Sequence, residues 1–546
     1  MNHRFGAKAT CRMPPPFFSG HGTLMRRDGI VLPAAAGVKG LGRGRADCGI
    51  AVPRPSRPGR KRFTAGGGSA IIALLSEQGN DVTRLTFPGG VHLPEYKERT
   101  EAEPIRTLPV PPRLLVPMAQ NLGAPAVPTV EKGQAVARGE PIGKPDGFIS
   151  AAVHAPTSGT VTAVERVVDA TSGRTTAAVV IEADGEDRPH PSLPEAPRSW
   201  RDLDAGVIRQ AVADAGIVGM GGATFPTHVK LSPPDDKPVD TVLLNGAECE
   251  PYLTCDHRVM LEASERVVIG LRLCMTATGA ERGLVCIEDN KPDAIQAMRQ
   301  ALAEAPDMDV RVFQTKYPQG AEKQLIQACL GREVPTGGLP LDVGVVVQNV
   351  QTAVAIADAC ERGRPLIERV LTVAGDAVGR AANLRVRIGT PLATLLAEGR
   401  VEDGFEELIL GGPMMGKDQF TTDLAVLKGT SGLLVFRRAA VYEGGPCIRC
   451  GACVRHCPAY LNPSRLSILG ESFLDGNLDA IETAMACGMM DCILCGTCAQ
   501  VCPSRRRMVH LIEMLRDQRR RSQHRKREKE RAQQADLKRA SEQTEA

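Results

Sequence analysis

The sequence predicts a multidomain α/β chain, with a small β domain first, an α/β domain in the middle, a further small strand-and-helix module, and a helical cysteine-rich domain near the end. Three observations carry this. At 546 residues the chain exceeds what one hydrophobic core organises, since cores stop growing near ~250–300 residues. After Arg201, strand-like runs alternate with helical periods, the pattern of a largely parallel sheet covered by helices. Near the C terminus, two cysteine runs repeat one spacing.

Taken in order, residues 1–81 are rich in Arg, Gly and Pro without a helical or strand period, so they cannot bury enough surface to offset chain entropy, and disorder is expected. Val82-Thr-Arg-Leu-Thr-Phe reads as a natural start, and native translation is expected to begin there. The small β domain spans 82–184. Its runs VEKGQAVARGEPIG and VHAPTSGTVTAV, punctuated by Gly and Pro, read as hairpins. The Pro-rich stretch DRPHPSLPEAPRSW marks a linker over 185–200. The α/β domain, 201–368, reads as helix DAGVIRQAVADAG, strands TVLLN and GLVCIE, helix KPDAIQAMRQALAEA, strand DVRVFQT and helix QGAEKQLIQACLG. The strand-and-helix module over 369–438 contains GGPMMG. In the cysteine domain, 439–510, NPSRLSILGESF and LDAIETAM read as helices, with Asn462 capping the first and Pro463 in its first turn. The charged, apolar-poor tail, 511–546, reads as a solvated helix or as disordered.

Composition narrows the function. With 67 basic and 63 acidic residues the net charge is only +4, which gives no case for nucleic acid as a partner. The longest charge-free apolar stretch, Val343 to Ala357, includes Gln348, Asn349, Gln351 and Thr352 and is shorter than the ~20 apolar residues of a spanning helix, so no membrane span is expected. Seventeen cysteines without a signal peptide point to metal ligation in a reducing cytosol rather than to disulfides.

The two runs are Cys447-IR-Cys450-GA-Cys453-VRH-Cys457-Pro458 and Cys492-IL-Cys495-GT-Cys498-AQV-Cys502-Pro503. Both match the bacterial ferredoxin pattern, in which three thiolates of one loop hold three corners of a [4Fe–4S] cubane and the fourth cysteine serves the other cluster. That rule gives Cys447, Cys450, Cys453 and Cys502 to one cluster and Cys492, Cys495, Cys498 and Cys457 to the other. Paired cysteines also serve zinc, but zinc does not call for four in this order twice, each run closed by proline. Cys487 fits neither set and is expected to be a buried thiol, as are Cys11, Cys48, Cys249, Cys255, Cys274, Cys286, Cys329 and Cys360.

Clusters of this type pass single electrons, whereas nicotinamides deliver a hydride, so a flavin is normally needed between them. The candidate for holding one is Gly219-Met-Gly221-Gly222-Ala-Thr-Phe225-Pro226-Thr227, with Lys230 just beyond. A helix rather than a strand precedes it and threonine stands at its sixth position, so it is neither a dinucleotide fingerprint nor a Walker A loop. Three glycines would let backbone amides approach a phosphate, and an ordinary tight turn is the plainer alternative.

This segment, with LNGAECEPYL and VVVQNVQTA, resembles the FMN- and NADH-binding subunit of respiratory complex I. From Leu85 to Arg505 the chain more closely resembles the RnfC family of the Rnf ion-translocating oxidoreductase complex, through FPGGVHLPEYK, VHAPTSGTV, GMGGATFPTHVKL, NGAECEPYLTCD, YPQGAEKQLI, VPTGGLP, GGPMMG and both cysteine runs in order. The resemblance implies a barrel-sandwich-like β domain, a flavin domain of the complex I type, a β-grasp-like module and a two-cluster ferredoxin-like domain. It implies a peripheral electron-transport subunit on the cytoplasmic face of the bacterial inner membrane. That subunit would use noncovalent FMN and two [4Fe–4S] clusters to pass electrons between NADH and ferredoxin-side partners, attached to the membrane through the other subunits. Soluble reductases of the cobalamin-reductase kind and a non-catalytic ferredoxin-like adaptor are the rival readings.

Carried over by motif, the resemblance gives Gly219, Gly221, Gly222 and Lys230 to the FMN phosphate or ribityl chain, and Asn245, Glu248 and Glu250 to flavin and nicotinamide. It gives Tyr317, Gly320 and Glu322 to the nucleotide-side loop and Asn349 to a flavin contact. The plainer alternatives are that Glu248 and Glu250 face solvent, Asn349 caps a helix and Tyr317 is core. Met220 stands where complex I has arginine and Ala321 where it has glutamate, which makes the pocket less charged. The β domain looks like a lipoyl carrier, but neither VARGE nor VEKGQ puts a lysine at the expected hairpin tip, so it reads as a docking surface. No residue is expected to act as a nucleophile.

Overall fold

A computed structural model describes residues 84–545. The expected disorder of 1–81, the start near Val82 and the buried thiols Cys11 and Cys48 lie outside the described residues.

The α/β domain is built on a four-stranded parallel sheet in the spatial order Met308–Phe313, Arg282–Glu288, Thr241–Gly246, Val345–Asn349. TVLL and GLVCI are buried on both faces, which is why they read as continuous apolar runs rather than alternating ones. Helices Ala205–Asp214, Ser264–Thr278 and Val350–Arg362 contribute to the core on one face, and Glu322–Leu330 packs Leu325 and Ile326 on the other. The helices from Cys255 to Thr278 are not apparent in the sequence pattern. They are buried through much of their circumference, so the polar stripe that marks a surface helix is faint.

The β domain differs from the expected hairpins. One sheet joins Arg113–Pro117, Thr175–Ala183, Gly159–Val168 and Ala135–Val136, and a second joins Val127–Pro128, Pro141–Lys144 and Val153–His154. VEKGQAVARGEPIG and VHAPTSGTVTAV therefore each divide between two sheets, enclosing a core of Leu114, Met118, Ile142, Val161 and Ile181. Glycines make the corners: Gly159 lies in the left-handed half of backbone space at φ +158, and a Cβ there would fall 2.1 Å from the Glu182 carbonyl oxygen. Lys132 is exposed in a turn, but the strands beside it belong to different sheets, so the turn is not the tip of a paired hairpin.

The first part of the expected β domain, 82–184, does not belong to its two sheets. Residues 84–107 join other parts of the fold: Leu85 and Val91 bridge to Phe313 and Tyr317, and Arg106–Thr107 forms the edge of a six-stranded mixed sheet. That sheet is the strand-and-helix module, with Ala382–Arg387, Glu368–Ala374, Gly432–Phe436, Glu407–Leu410, Lys417–Asp418 and the helix Leu392–Glu398. Register to a neighbouring strand, not local composition, recruits the 106–107 segment.

In the cysteine domain Asn462 accepts a hydrogen bond from the Arg465 N–H and Pro463 opens the helix Pro463–Leu474. Leu466 of this helix, Ala484 of Ala480–Ala486, and Ile512 and Leu515 of the long helix Met508–Glu545 make a compact core. No helix among the described residues is long and apolar enough to cross a membrane.

Candidate functional site

The parallel sheet changes direction between Thr241–Gly246 and Val345–Asn349. The next two strands, 282–288 and 308–313, add on one side of 241–246 and 345–349 adds on the other, so the connections part at the carboxyl ends, the place where open α/β sheets form a binding crevice. Asn245 and Asn349 end these two strands and are register partners. Asn245 donates to the Gly320 carbonyl at 2.8 Å and accepts from the Ala247 N–H at 3.2 Å. Asn349 accepts from the Gln351 N–H at 2.9 Å, capping the helix 350–362, and donates to Asp256 at 2.6 Å.

The glycine-rich loop lies against Asn349. The Gly219 N–H donates to the Phe225 carbonyl at 2.9 Å and the Met220 N–H to the Thr352 hydroxyl at 3.0 Å, which leaves the backbone of Gly221, Gly222 and Ala223 exposed. A Cβ on Gly221 would sit 3.1 Å from the Asn349 Cβ, whereas Gly222, at φ +143, faces open space. Lys230 reaches the wall of the crevice, donating to the Val347 carbonyl at 3.1 Å and pairing with Glu322 at 3.3 Å. Exposed glycine amides beside a lysine are suited to an anionic oxygen group.

The two glutamates of NGAECEP are not solvent-facing. Glu248, at φ +47, accepts from the N–H groups of Asp256 at 2.8 Å and His257 at 3.0 Å, capping the helix Cys255–Glu262. Glu250 accepts from the N–H groups of Met414 and Met415, both at 2.9 Å, and burial pushes its carboxyl up to about 7. Burial, and then the charge of Glu248, likewise push Asp256 up to about 6. Lys97, itself buried, donates to the carbonyls of Glu248, Glu250 and Leu253 and so fixes the loop. Lys97 ends the motif FPGGVHLPEYK, from which no role for it is apparent. A lysine closing an apolar, Gly- and Pro-bounded run was the available signal.

Tyr317 is core, at 2 % exposure, and it is also a link. Its hydroxyl donates to the Cys495 carbonyl at 2.6 Å, and three residues on, the Gly320 N–H donates to the Cys249 sulfur at 3.3 Å. Val91, Tyr317 and Cys495 share an apolar cluster with Cys249, Met414 and Ile493. Further ties run from the Gly90 N–H to the His456 carbonyl at 2.9 Å and from Gln324 to the Pro458 carbonyl at 3.1 Å.

Cys457, Cys492, Cys495 and Cys498 line one cavity together with Leu461 and Leu466. One run supplies three of these thiols and the other supplies the fourth. Burial pushes Cys492 up to about 11 and also raises Cys457 and Cys498, so the apo thiols hold their protons, whereas a bound cationic cluster would favour the thiolates. Cys453 and Cys502 pack beside Cys498 and Met508, while Cys447 is half-buried and Cys450 exposed. A second cavity, lined by Cys447, Arg449, Glu471 and Arg506, opens beside this outer set. Of the remaining cysteines, Cys255, Cys274, Cys286 and Cys360 are buried as expected; Cys249, Cys329 and Cys487 are only half-buried, because each lies at the margin of a core cluster.

Known families match three segments of the chain. Residues 85–186 match the RnfC barrel sandwich hybrid domain, 212–358 the Nuo51 FMN-binding domain, and 445–506 a 4Fe-4S dicluster domain. The chain is 48 % identical over 395 residues, 71 % of its length and 85 % of the relative's, to a subunit of the proton-translocating ferredoxin:NAD(+) oxidoreductase complex of Clostridium ljungdahlii. It is 48 % identical over 385 residues, 70 % of its length and 86 % of the relative's, to the corresponding subunit of the Na(+)-translocating complex of Acetobacterium woodii. Against the corresponding subunit of the ion-translocating oxidoreductase complex of Pseudomonas aeruginosa it is 44 % identical, covering 70 % of this chain and 49 % of that one.

Proposed function

The chain belongs to the RnfC family of subunits of the Rnf ion-translocating ferredoxin:NAD oxidoreductases, and from that membership we propose that it passes electrons between NADH and the ferredoxin side of a membrane complex, peripheral to the cytoplasmic face and attached through the other subunits. Gly221, Gly222 and Lys230 would hold the FMN phosphate or ribityl chain, with Gly219 shaping the loop through its bond to the Phe225 carbonyl, and Asn245 and Asn349 would contact the flavin. Cys457, Cys492, Cys495 and Cys498 hold the inner [4Fe–4S] cluster, and Cys447, Cys450, Cys453 and Cys502 the outer one.

When bound, the flavin exchanges a pair of electrons with the nicotinamide and single electrons with the clusters. The residues themselves do positional work. Asn349 is held by the Gln351 N–H and by Asp256, and Asn245 by Gly320 and Ala247, so both amides are fixed before any cofactor arrives. Glu248 acts through its helix cap and Lys97 through three carbonyls, which makes both of them positioning residues. The observation that carries the order of transfer is the Tyr317 hydroxyl on the Cys495 carbonyl, which ties the inner set to the wall of the crevice, whereas the outer set touches the inner one.

The test is anaerobic purification with iron and flavin assays, followed by NADH titration in the visible spectrum. About eight irons and one FMN per chain, with bleaching by NADH, is the expected result, counting four irons per cubane. Eight irons without flavin or NADH response would leave a two-cluster adaptor and withdraw the crevice assignments. Co-purification with integral membrane subunits separates the complex from a soluble reductase.

A further inference from the structure

A cavity of about 310 Å³ lies behind the glycine-rich loop, between helix 350–362 and strands 368–374 and 382–387. Five arginines line it, Arg138, Arg364, Arg369, Arg385 and Arg387, against two carboxylates, Asp358 and Glu368. Those carboxylates are already engaged. Asp358 pairs with Arg266 at 2.5 Å and Arg362 at 3.6 Å, and Glu368 pairs with Arg385 at 3.1 Å and Arg387 at 3.9 Å. Asp187 takes Arg138 at 2.8 Å and Arg387 at 2.9 Å.

Arg364 and Arg369 are thus left without a carboxylate in ion-pair reach among the described residues. Arg369 is 3 % exposed, and its donors go to the carbonyls of Lys428, Met220 and Val370 at 2.5, 3.3 and 3.2 Å. Asp256 lies near enough to be felt electrostatically but gives its oxygens to Asn349 and Gln351. The Cys255 thiol, kept protonated by burial, also meets Arg369, and a buried guanidinium bonded only to uncharged groups keeps a desolvation cost that an anion in the cavity would offset. The rest of the lining is apolar and includes Leu193, Val259, Val354 and Ile367. Cavities of this size, with an apolar body and a few convergent charges, are the usual form of small-molecule sites.

We propose that this cavity binds a small organic anion, a carboxylate or phosphate ester with an apolar body, whose charged end is taken by Arg369 and Arg364. The binding does not depend on the flavin reading. Arg369 also holds the Met220 carbonyl, so an occupant would press on the glycine-rich loop from behind.

The test is titration calorimetry on the intact, cluster-loaded protein with octanoate, hexyl phosphate and inorganic phosphate as probes. The expected result is one saturable site per chain for octanoate or hexyl phosphate, whichever matches the headgroup, with inorganic phosphate at least tenfold weaker. Arg364→Ala, at an exposed position, and Ala355→Phe, which fills the cavity, are each expected to weaken that binding at least tenfold while iron and flavin contents stay unchanged. Absence of saturable binding for both organic probes, binding of inorganic phosphate as tight as theirs, or affinity unchanged in both variants would overturn the proposal.

Discussion

The two cysteine sets share a sequence pattern and differ in surroundings. Cys457, Cys495 and Cys498 are nine-tenths or more buried, and their cavity is closed by leucines, whereas Cys450 is exposed, Cys447 is half-buried and the adjoining cavity is lined by Arg449, Glu471 and Arg506. Burial and neighbouring charge are among the main levers on a cluster's potential. One motif used twice therefore yields two sets in different surroundings: an inner one tied to the α/β domain through Tyr317, and an outer one with Cys450 open to water. Part of the difference comes from what packs on the inner side: Tyr317 and Gln324 of the α/β domain and Gly90 of the N-terminal segment bond to the cysteine domain there, while in the outer set Cys453 is buried but Cys450 is left exposed.

The most damaging way to break this asymmetry is to remove one thiol from each set. Cys495→Ala and Cys450→Ala are each expected to lower iron from about eight to about four per chain. Their consequences should diverge. Without the inner cluster, NADH should no longer reduce the remaining one, a loss of at least ~100-fold in rate because the relay is interrupted. Without the outer cluster, NADH should still bleach the inner one at nearly the normal rate. Spectra of both variants under NADH decide this, and an outer cluster that stays reducible in Cys495→Ala would reverse the order.

Next in size is a pH effect confined to the inner side. Glu250 holds its proton up to about 7 in the folded chain, above the ordinary carboxylate value of 4.5. The folded state therefore binds more protons than the unfolded one between these values, so stability is fully present below 4.5, falls as pH rises and levels off above 7. The span corresponds to about 3 kcal/mol. Glu250→Gln should flatten that part of the stability curve while costing one of the bonds from Met414 or Met415, as read by urea unfolding of the apo protein across pH. An unchanged slope would mean that Glu250 is ionised in the folded state.

The gathering of Cys457 with Cys492, Cys495 and Cys498 around one cavity was legible because the motif's spacing is local, and so were three of the four strands of the α/β domain; Val345–Asn349, which runs straight into a helix, was not. Long-range register was not. Nothing within VEKGQAVARGEPIG says that its two strands serve different sheets, and nothing near Arg106 says that it will pair with Leu384. The site residues carried by resemblance acquire physical content only in three dimensions. Glu248 is a helix cap, Asn349 is both cap and crevice wall, and Tyr317 is both core and link. The arginine cavity was invisible because its five cations come from separate stretches of chain.

Tyr317→Phe sharpens the comparison at a smaller scale. The ring remains in its cluster with Val91, and only the bond to the Cys495 carbonyl is lost, a cost of about 1 kcal/mol or slightly more because a buried acceptor is left unpaired. Iron and flavin contents should be unchanged, and reduction of the inner cluster by NADH should slow while dithionite reduces both clusters as before. Equal slowing with both reductants would show that the change lies in the cluster and not in the link to the crevice.

The smallest effect is expected at the other bridge to the cysteine domain. Lys417 of the strand-and-helix module meets Glu513 of the long terminal helix at 3.5 Å, with both side chains about half exposed. Solvent and salt screen such a pair, and holding two flexible side chains in place costs entropy, so its net worth is at most ~0.5 kcal/mol. Glu513→Ala should therefore leave thermal unfolding and both reduction steps within error of the wild type. If the cysteine domain were held mainly by surface charge, this substitution would loosen it and Tyr317→Phe would not. The opposite ranking is expected, because the Tyr317 contact is dry and this one is wet.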